Sequence, residues 1–388
     1  MSASETKRRL YLDHNATTPV SARAVQALLP YLEQSFGNPS SIHAEGVLAR
    51  AAVERARDQT ARALGVRAAE IVFTSGCTES INAALRGIAA AHPEKKRIVT
   101  SAVEHTATLD VLAHLEESGY EVLRLPVDRS GRLDPTIVAA ALDERTACLS
   151  LLWVNNETGV FFDIGAIGAI ARRKGVPFHV DGAQIVGKGL ENLGDAPVDC
   201  LSFSGHKFGA PKGVGGLYIR RNAPVKPFLW GGHHEKGRRA GTENVPGIVA
   251  MGEAVGEATE GWRRYGVAIG RRRDRLAQGL RDGCPGLIVN GEGAPRIENT
   301  LNVCFPGIEG AAVVLSLSQR GIFVSSGSAC TAAQAGPSHV LVAMGVPGDK
   351  VHGSVRFSLG AEIDDGDIDR VIAETRAVFL HVSRVNTA

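Results

Sequence analysis

No two of the six cysteines (Cys77, Cys148, Cys200, Cys284, Cys304 and Cys330) stand close enough to form a C-x-x-C pair. That spacing argues against a structural zinc site and against a disulfide scaffold. It favours a reducing, cytoplasmic setting in which a thiol stays available to react. An excess of one charge is lacking too. The 43 Lys and Arg against 41 Asp and Glu leave a net +2, which gives no electrostatic case for nucleic acid or a membrane surface. No stretch approaches the roughly 20 apolar residues of a membrane span. The opening "MSASETKRRLYLDHN" has no apolar run behind its basic residues, so no secretory leader is expected. Repeats, low-complexity tracts and extended linkers are missing. The order G-x-x-x-x-G-K-[ST] is absent, and no G-x-G-x-x-G opens a helix, which disfavours a P-loop enzyme and a nicotinamide oxidoreductase.

What is present is alternation. Apolar, β-branched runs recur at "EIVFTS" (70–75), "RIVTS" (97–101), "EVLRLPV" (121–127), "ACLSLLWV" (147–154), "PFHVD" (177–181), "CLSFS" (200–204) and "GGLYIR" (215–220). Helix-period segments such as "SINAALRGIAAAH" (80–92) and "IGAIGAIARRKG" (164–175) lie between most of them. Strand and helix in alternation predict an α/β domain with a mainly parallel sheet. After "GTENVPG" a long helix is expected from near Ile248 past Arg281, broken near Gly261 or Gly266. The rhythm then changes to short strands ("TLNVCF", "GSVRFSLG") among helices ("GAAVVLSLSQR", "IDRVIAETRAVFL"). A smaller α+β domain from about Trp262 follows from that change.

Several strand ends carry chemistry. In "FTSGCTESINAAL" a strand, a glycine turn and a helix start follow one another, with Ser75, Cys77 and Thr78 at the helix N-terminus. Unsatisfied N–H groups and the helix dipole favour an anion there, although Ser75 and Glu79 also resemble an ordinary capping box. "FHVDGAQ" ends a strand on Asp181, at the edge where open α/β sheets take ligands. "SFSGHKFGAPKGVGG" ends the next with Ser204, His206 and Lys207, among glycines that let a ligand approach the backbone. A lysine able to form a Schiff base, a carboxylate for a pyridinium nitrogen and a helix N-terminus for a phosphate are what pyridoxal 5'-phosphate requires. "VEHTA" adds His105, placed to lie against a flat ring, though capping is the default for a histidine there.

Ten ordered segments now carry a resemblance over nearly the whole chain: "YLDHNATTP", "FGNPSSIHAEG", "FTSGCTES", "VEHTA", "VNNETG", "HVDGAQ", "SGHKFGAPKGVG", "GGHHEKGRRAGTEN", "SSGSACT" and "VRFSLG". The chain resembles the cysteine desulfurases of the nitrogen-fixation and iron–sulfur-cluster type, in the class V aminotransferase family of fold-type I pyridoxal-phosphate enzymes. That resemblance implies a large cofactor-binding domain at 16–261 with a mainly parallel seven-stranded sheet. Residues 1–15 and 262–388 would form the smaller α+β domain carrying the catalytic cysteine loop. It implies Lys207 as the cofactor's covalent anchor, Asp181 at the pyridinium nitrogen, His105 on the ring and Gln184 at the phenolic oxygen. Cys77, Thr78, Ser204 and His206 would surround the phosphate, joined by Thr242 from the other subunit of a homodimer. Asn156 and Arg356 would hold the carboxylate of L-cysteine. In "GSVRFSL" the alternation puts Val355 and Phe357 on one face and Arg356 on the other, and a guanidinium fork suits a carboxylate.

By the same resemblance, Cys330 in "SSGSACTAAQAGPSH" would accept the substrate's sulfur as a persulfide and pass it to a partner such as an iron–sulfur scaffold, leaving alanine. Its neighbours are small and polar, a poor core and a good loop. The 13 residues from Ser325 to Pro337 would let the tip swing at most about 20 Å. His14, Cys77 and Gly182 depart from the usual family pattern without removing a reacting group. A selenocysteine lyase or an aminotransferase on the same fold is the alternative; the aminotransferase would need no thiol on a loop.

Overall fold

All seven of those apolar runs pair into one sheet in the computed structural model, which describes residues 8–190, 192–326 and 336–387. A two-residue β1 (Leu10–Tyr11) comes first. The sheet is built from β2 (Ile71–Thr74), β3 (Arg97–Ser101), β4 (Glu121–Leu125), β5 (Thr146–Leu152), β6 (Phe178–Asp181), β7 (Cys200–Ser204) and β8 (Gly215–Ile219). Their spatial order is β2-β8-β7-β6-β5-β3-β4. Only β8 runs against its neighbours; the other six share one direction.

Burial on both faces explains why these strands read as apolar runs, apart from the edge strand β4, of which only Leu125 is buried. Phe73, Val99, Leu149, Leu201 and Tyr218 enter one core, while Val72, Ile98, Cys148, Cys200 and Leu217 enter another. Adjacent residues thus face opposite ways, at the two-residue period of a strand. Among the helices α1 (Ala22–Glu33), α2 (Ala44–Leu64), α3 (Cys77–Ala91), α4 (Thr106–Glu117), α5 (Pro135–Ala141) and α6 (Ile164–Arg173), α3 and α4 cover the second core. Helices α2 and α6 cover the first.

Helix α7 (Val245–Gly283) runs 39 residues without interruption, so the break expected near Gly261 or Gly266 does not occur. An interior glycine costs about 1 kcal/mol of helix propensity. Packing at both ends outweighs it: Ile248, Met251 and Val255 are buried in the first core, and Ile269, Leu276 and Leu280 in a third. That third core also takes in Leu10 and Leu12 from the chain start. It lies against β9 (Ile288–Asn290), β10 (Thr300–Cys304), β12 (Ser325–Ser326) and β13 (Ser354–Ser358), an antiparallel sheet ordered β12-β13-β10-β9. The intervening β11 (Ile322–Phe323) pairs with β1 in parallel. Helices α8 (Gly310–Gln319) and α11 (Asp365–Thr387) pack on it through Val313, Leu317, Ile368 and Val371. Between them lie two short helices, α9 (His339–Ala343) and α10 (Gly348–Val351). Among the described residues no helix is long and apolar enough to cross a membrane.

Candidate active site

The six co-directional strands deliver their C-terminal ends to one edge of the sheet, and a cavity of about 450 Å³ opens there. Ser75, Cys77 and Thr78 reach it from the β2–α3 turn, His105 from the start of α4 and Asn156 from the loop after β5. Asp181 is the last residue of β6, with Gln184 three positions on; Ser204, His206 and Lys207 follow from β7. Residues up to 132 positions apart in "FTSGCTES" and "SGHK" therefore share one pocket because β2, β7, β6 and β5 lie within a few strands of each other.

Lys207 Nζ donates to the main-chain carbonyls of Asn15 at 2.6 Å and Ala16 at 2.9 Å. Asp181 Oδ1 accepts from the Ala183 N–H at 2.9 Å and from the Cys77 thiol at 3.4 Å. These bonds occupy one carboxylate oxygen and orient the other. Burial, followed by the Asp181 charge, pushes the Cys77 thiol well above its ordinary pKa. It therefore donates as a thiol and is a poor nucleophile. His105 caps α4 with Nδ1 accepting from the Ala107 N–H at 3.1 Å; in the neutral ring the proton then sits on Nε2. Burial and the neighbouring lysines, Lys207 first, push His206 down to about 4, so that ring is neutral near pH 7.

At the start of α3, Glu79 accepts from the Ser75 N–H at 2.8 Å and pairs with Arg239 at 2.7 Å. Only the glutamate half of the box anticipated for Ser75 and Glu79 forms: the N-cap is Gly76, and among the described residues no side chain caps the first-turn N–H groups of α3. Gly76 and Gly215 approach so closely that a Cβ on Gly215 would lie 2.6 Å from Gly76 Cα. Ser204 Oγ stands across the same turn, 3.4 Å from where a Gly76 Cβ would be. At Gly182 a Cβ would come within 2.7 Å of the Leu201 side chain, a local reason for glycine there.

Arg356 is buried on β13, facing away from Val355 and Phe357. Nη1 donates to the Asn156 carbonyl at 3.0 Å and Nη2 to Asp13 at 2.8 Å, while buried Nε has no partner among the described residues. It sits beside the cavity, next to Asn156, without lining it. Thr242 is exposed and is not among the lining residues. Cys330 lies outside the described residues. The structure adds groups that motif reading missed. Asn15 acts through its main-chain carbonyl, which no side-chain pattern reveals. Lys188 stands four positions after Gln184, and Lys212 lines the cavity. Two buried acids, Glu104 and Glu157, flank His105 and Asn156 in sequence.

Amine, carboxylate, imidazoles and a helix N-terminus around one cavity of this size fit pyridoxal phosphate: one group for its aldehyde, one for its ring nitrogen, one for its phosphate.

Comparison with known proteins agrees. A family model, aminotransferase class-V, matches residues 10–371. Cysteine desulfurase 2 of Trichormus variabilis is 48% identical over 363 residues, covering 94% of this chain and 91% of that protein. A cysteine desulfurase of Klebsiella pneumoniae is 46% identical over 367 residues, with 94% and 91% covered. Among solved structures, a NifS-like protein superposes with a TM-score of 0.90 at 35% identity, covering 96% of this chain and all of that one. SspA, solved in complex with cysteine, gives 0.80 at 34% identity, with 90% and 98% covered.

Proposed function

The chain belongs to the class-V aminotransferase family, and from that premise we propose that it is a cysteine desulfurase that converts L-cysteine to L-alanine. The observation that carries this is the convergence of Lys207, Asp181, His105 and the α3 N-terminus on one cavity beside Asn156 and Arg356. Pyridoxal phosphate, when bound, supplies an electron-withdrawing ring that takes up negative charge from the substrate's Cα. Lys207 anchors it and, once released, moves the proton at Cα. Asp181 would support a protonated ring nitrogen, His105 would lie against the ring, and Cys77, Thr78, Ser204 and His206 would hold the phosphate. Asn156 and Arg356 orient the substrate carboxylate; burial of the guanidinium beside Asn156, with Nε unpartnered among the described residues, supports that role.

The thiolate of Cys330 forms an S–S bond with the substrate sulfur as the Cβ–S bond breaks. The electron pair goes to carbon, which takes a proton to give alanine. Sulfur then rests on Cys330 as a persulfide until an acceptor protein, such as an iron–sulfur scaffold, removes it. The proposal includes a homodimer with Thr242 offered to the partner; its exposure, outside the residues that line its own cavity, supports that.

The test is reduction of the yellow holoenzyme with borohydride, then peptide mapping. The cofactor is expected on Lys207, and after cysteine is added one reductant-labile sulfur on the Cys330 peptide with alanine released. A label on Lys212 or Lys188, or alanine production unchanged in Cys330→Ala, would overturn the reading.

A further inference from the structure

Gln184 lines the cavity, and its amide is held from two sides. Lys188 Nζ donates to Oε1 at 3.1 Å, and Nε2 donates to the Asn15 main-chain carbonyl at 3.0 Å. A lysine amine donates and a carbonyl accepts, so together these bonds fix which end of the amide is oxygen and which nitrogen. Asn15 is fixed in the same manner. Its Nδ2 donates to the Asn156 carbonyl at 3.1 Å and to Thr300 Oγ1 at 2.9 Å, while Oδ1 accepts from Asn299 Nδ2 at 3.1 Å. Lys188 Nζ also reaches that Oδ1, at 3.5 Å. Two acceptor oxygens thus converge on one buried amine, and the Asn15 carbonyl that receives Gln184 also receives Lys207.

These bonds to Lys188 come from neutral amides, and the charges that act on it, from Lys207 and Arg356, are of like sign. His14 borders the small cavity that Lys188 shares with Lys207. Burial and then those two cations push the Lys188 amine down to about 7. An ionisable side chain kept in so unfavourable a place calls for a role beyond filling space.

We propose that Lys188 is a positioning residue for the cofactor pocket: it holds Gln184 with its N–H edge toward the cavity, so that the pocket selects an ionised acceptor oxygen at that point. Resting on the function proposed above, that oxygen is the phenolic oxygen of pyridoxal phosphate. An N–H donor and a nearby cation both favour the phenolate and disfavour added positive charge at the Lys207 linkage. The other titratable groups around this pocket are Asp181, His105, His206, Cys77, Glu79 and Lys212.

The experiment is a spectrophotometric pH titration of the full-length, cofactor-loaded protein as wild type, Lys188→Met, Lys188→Gln and Gln184→Met, with the double variants. The midpoint of the visible absorbance change is expected to rise by about half a unit or more in Lys188→Met, since loss of a like charge and of the amide's anchor act together. Lys188→Gln, neutral but still donating, should move it less. In the Gln184→Met background the part of the shift that acts through the amide is lost, so Lys188→Met should move the midpoint clearly less than it does in the wild-type background. An unaltered midpoint in a loaded Lys188→Met protein would overturn the inference, as would a full shift that persists without Gln184. If Lys188→Met does not fold, the same comparison between Lys188→Gln and Gln184→Met decides. A wild type with no Lys207-linked chromophore would instead count against the function itself.

Discussion

Glu104 shows how a single side chain next to a catalytic candidate can store a pH response. It is fully buried; Ser101 donates to Oε1 at 2.5 Å, and Oε2 has no hydrogen-bond partner among the described residues. Desolvation pushes its carboxyl up to about 8, helped by the Asp181 charge. The folded state therefore holds a proton that the unfolded chain has already released. Stability from this group is full below the ordinary carboxylate range and is lost as pH rises through about 8. Glu157, up to about 7 mainly through burial, acts in the same direction and accepts from Ser338 at 2.6 Å. A glutamine at 104 mimics the protonated acid. Glu104→Gln should therefore gain on the wild type between about pH 5 and 8.5, by an amount on the order of a few kcal/mol. Urea midpoints of both proteins at the two ends of that range check it. Parallel pH responses would show that Glu104 titrates normally. Comparing the two proteins cancels the opposite contributions of His179, down to about 3, and Lys188, down to about 7.

At the level of elements, α7 is the clearest case of packing overriding local preference. It spans about 58 Å at 1.5 Å per residue and takes part in two cores. Its glycines are not equivalent. A Cβ at Gly261 would meet nothing within 4 Å among the described residues, whereas one at Gly279 would lie 2.5 Å from Ile372 Cδ1 on α11. Gly261→Ala should stabilise the protein by about 0.5–1 kcal/mol through helix propensity. Gly279→Ala should destabilise it by about 1–3 kcal/mol through overpacking of the α7–α11 contact. Urea unfolding of both variants measures the difference, and equal effects of one sign would show that α7 packs otherwise. Before α7, Glu235 is buried and binds Arg57 in a fork at 2.7 and 2.8 Å while accepting from the Phe73 N–H. This ties the stretch that leads to Thr242 back to β2.

On the scale of the whole molecule, the surface carries apolar groups that a solitary chain has little reason to expose. The end of α1, the connection to α2 and the first turns of α2 present Leu32, Phe36, Ile42 and Leu48, with Phe36 80% and Ile42 94% exposed. The stretch that leads to Thr242 presents Trp230, 79% exposed. Large exposed apolar side chains in one region mark an interaction surface, and a second copy of the chain is the occupant that the proposed function requires. Sedimentation should give about twice the 40.9 kDa of one chain. Phe36→Asp with Ile42→Asp should shift the equilibrium toward the single chain, and cofactor retention should fall with it if Thr242 acts across the interface. A wild type that sediments as one chain would refute this.

The sequence alone determined where the strands lie and which residues end them. Both are local: a strand buried on two faces must be apolar throughout, and a glycine, a cap or a charge must follow where it leaves the sheet. Lys207, Asp181 and His105 were legible for that reason, as was the opposite placement of Arg356 from Val355 and Phe357. Tertiary structure decided what depends on distant partners. The unbroken α7 needed two cores to outweigh Gly261 and Gly266. The links from Asn15 to Lys207, Gln184 and Lys188 run through a main-chain carbonyl and a buried amide, and neither leaves a pattern in side-chain spacing. The raised Glu104 and the lowered Lys188 follow from desolvation, which is set by everything packed around a group and by none of its sequence neighbours alone.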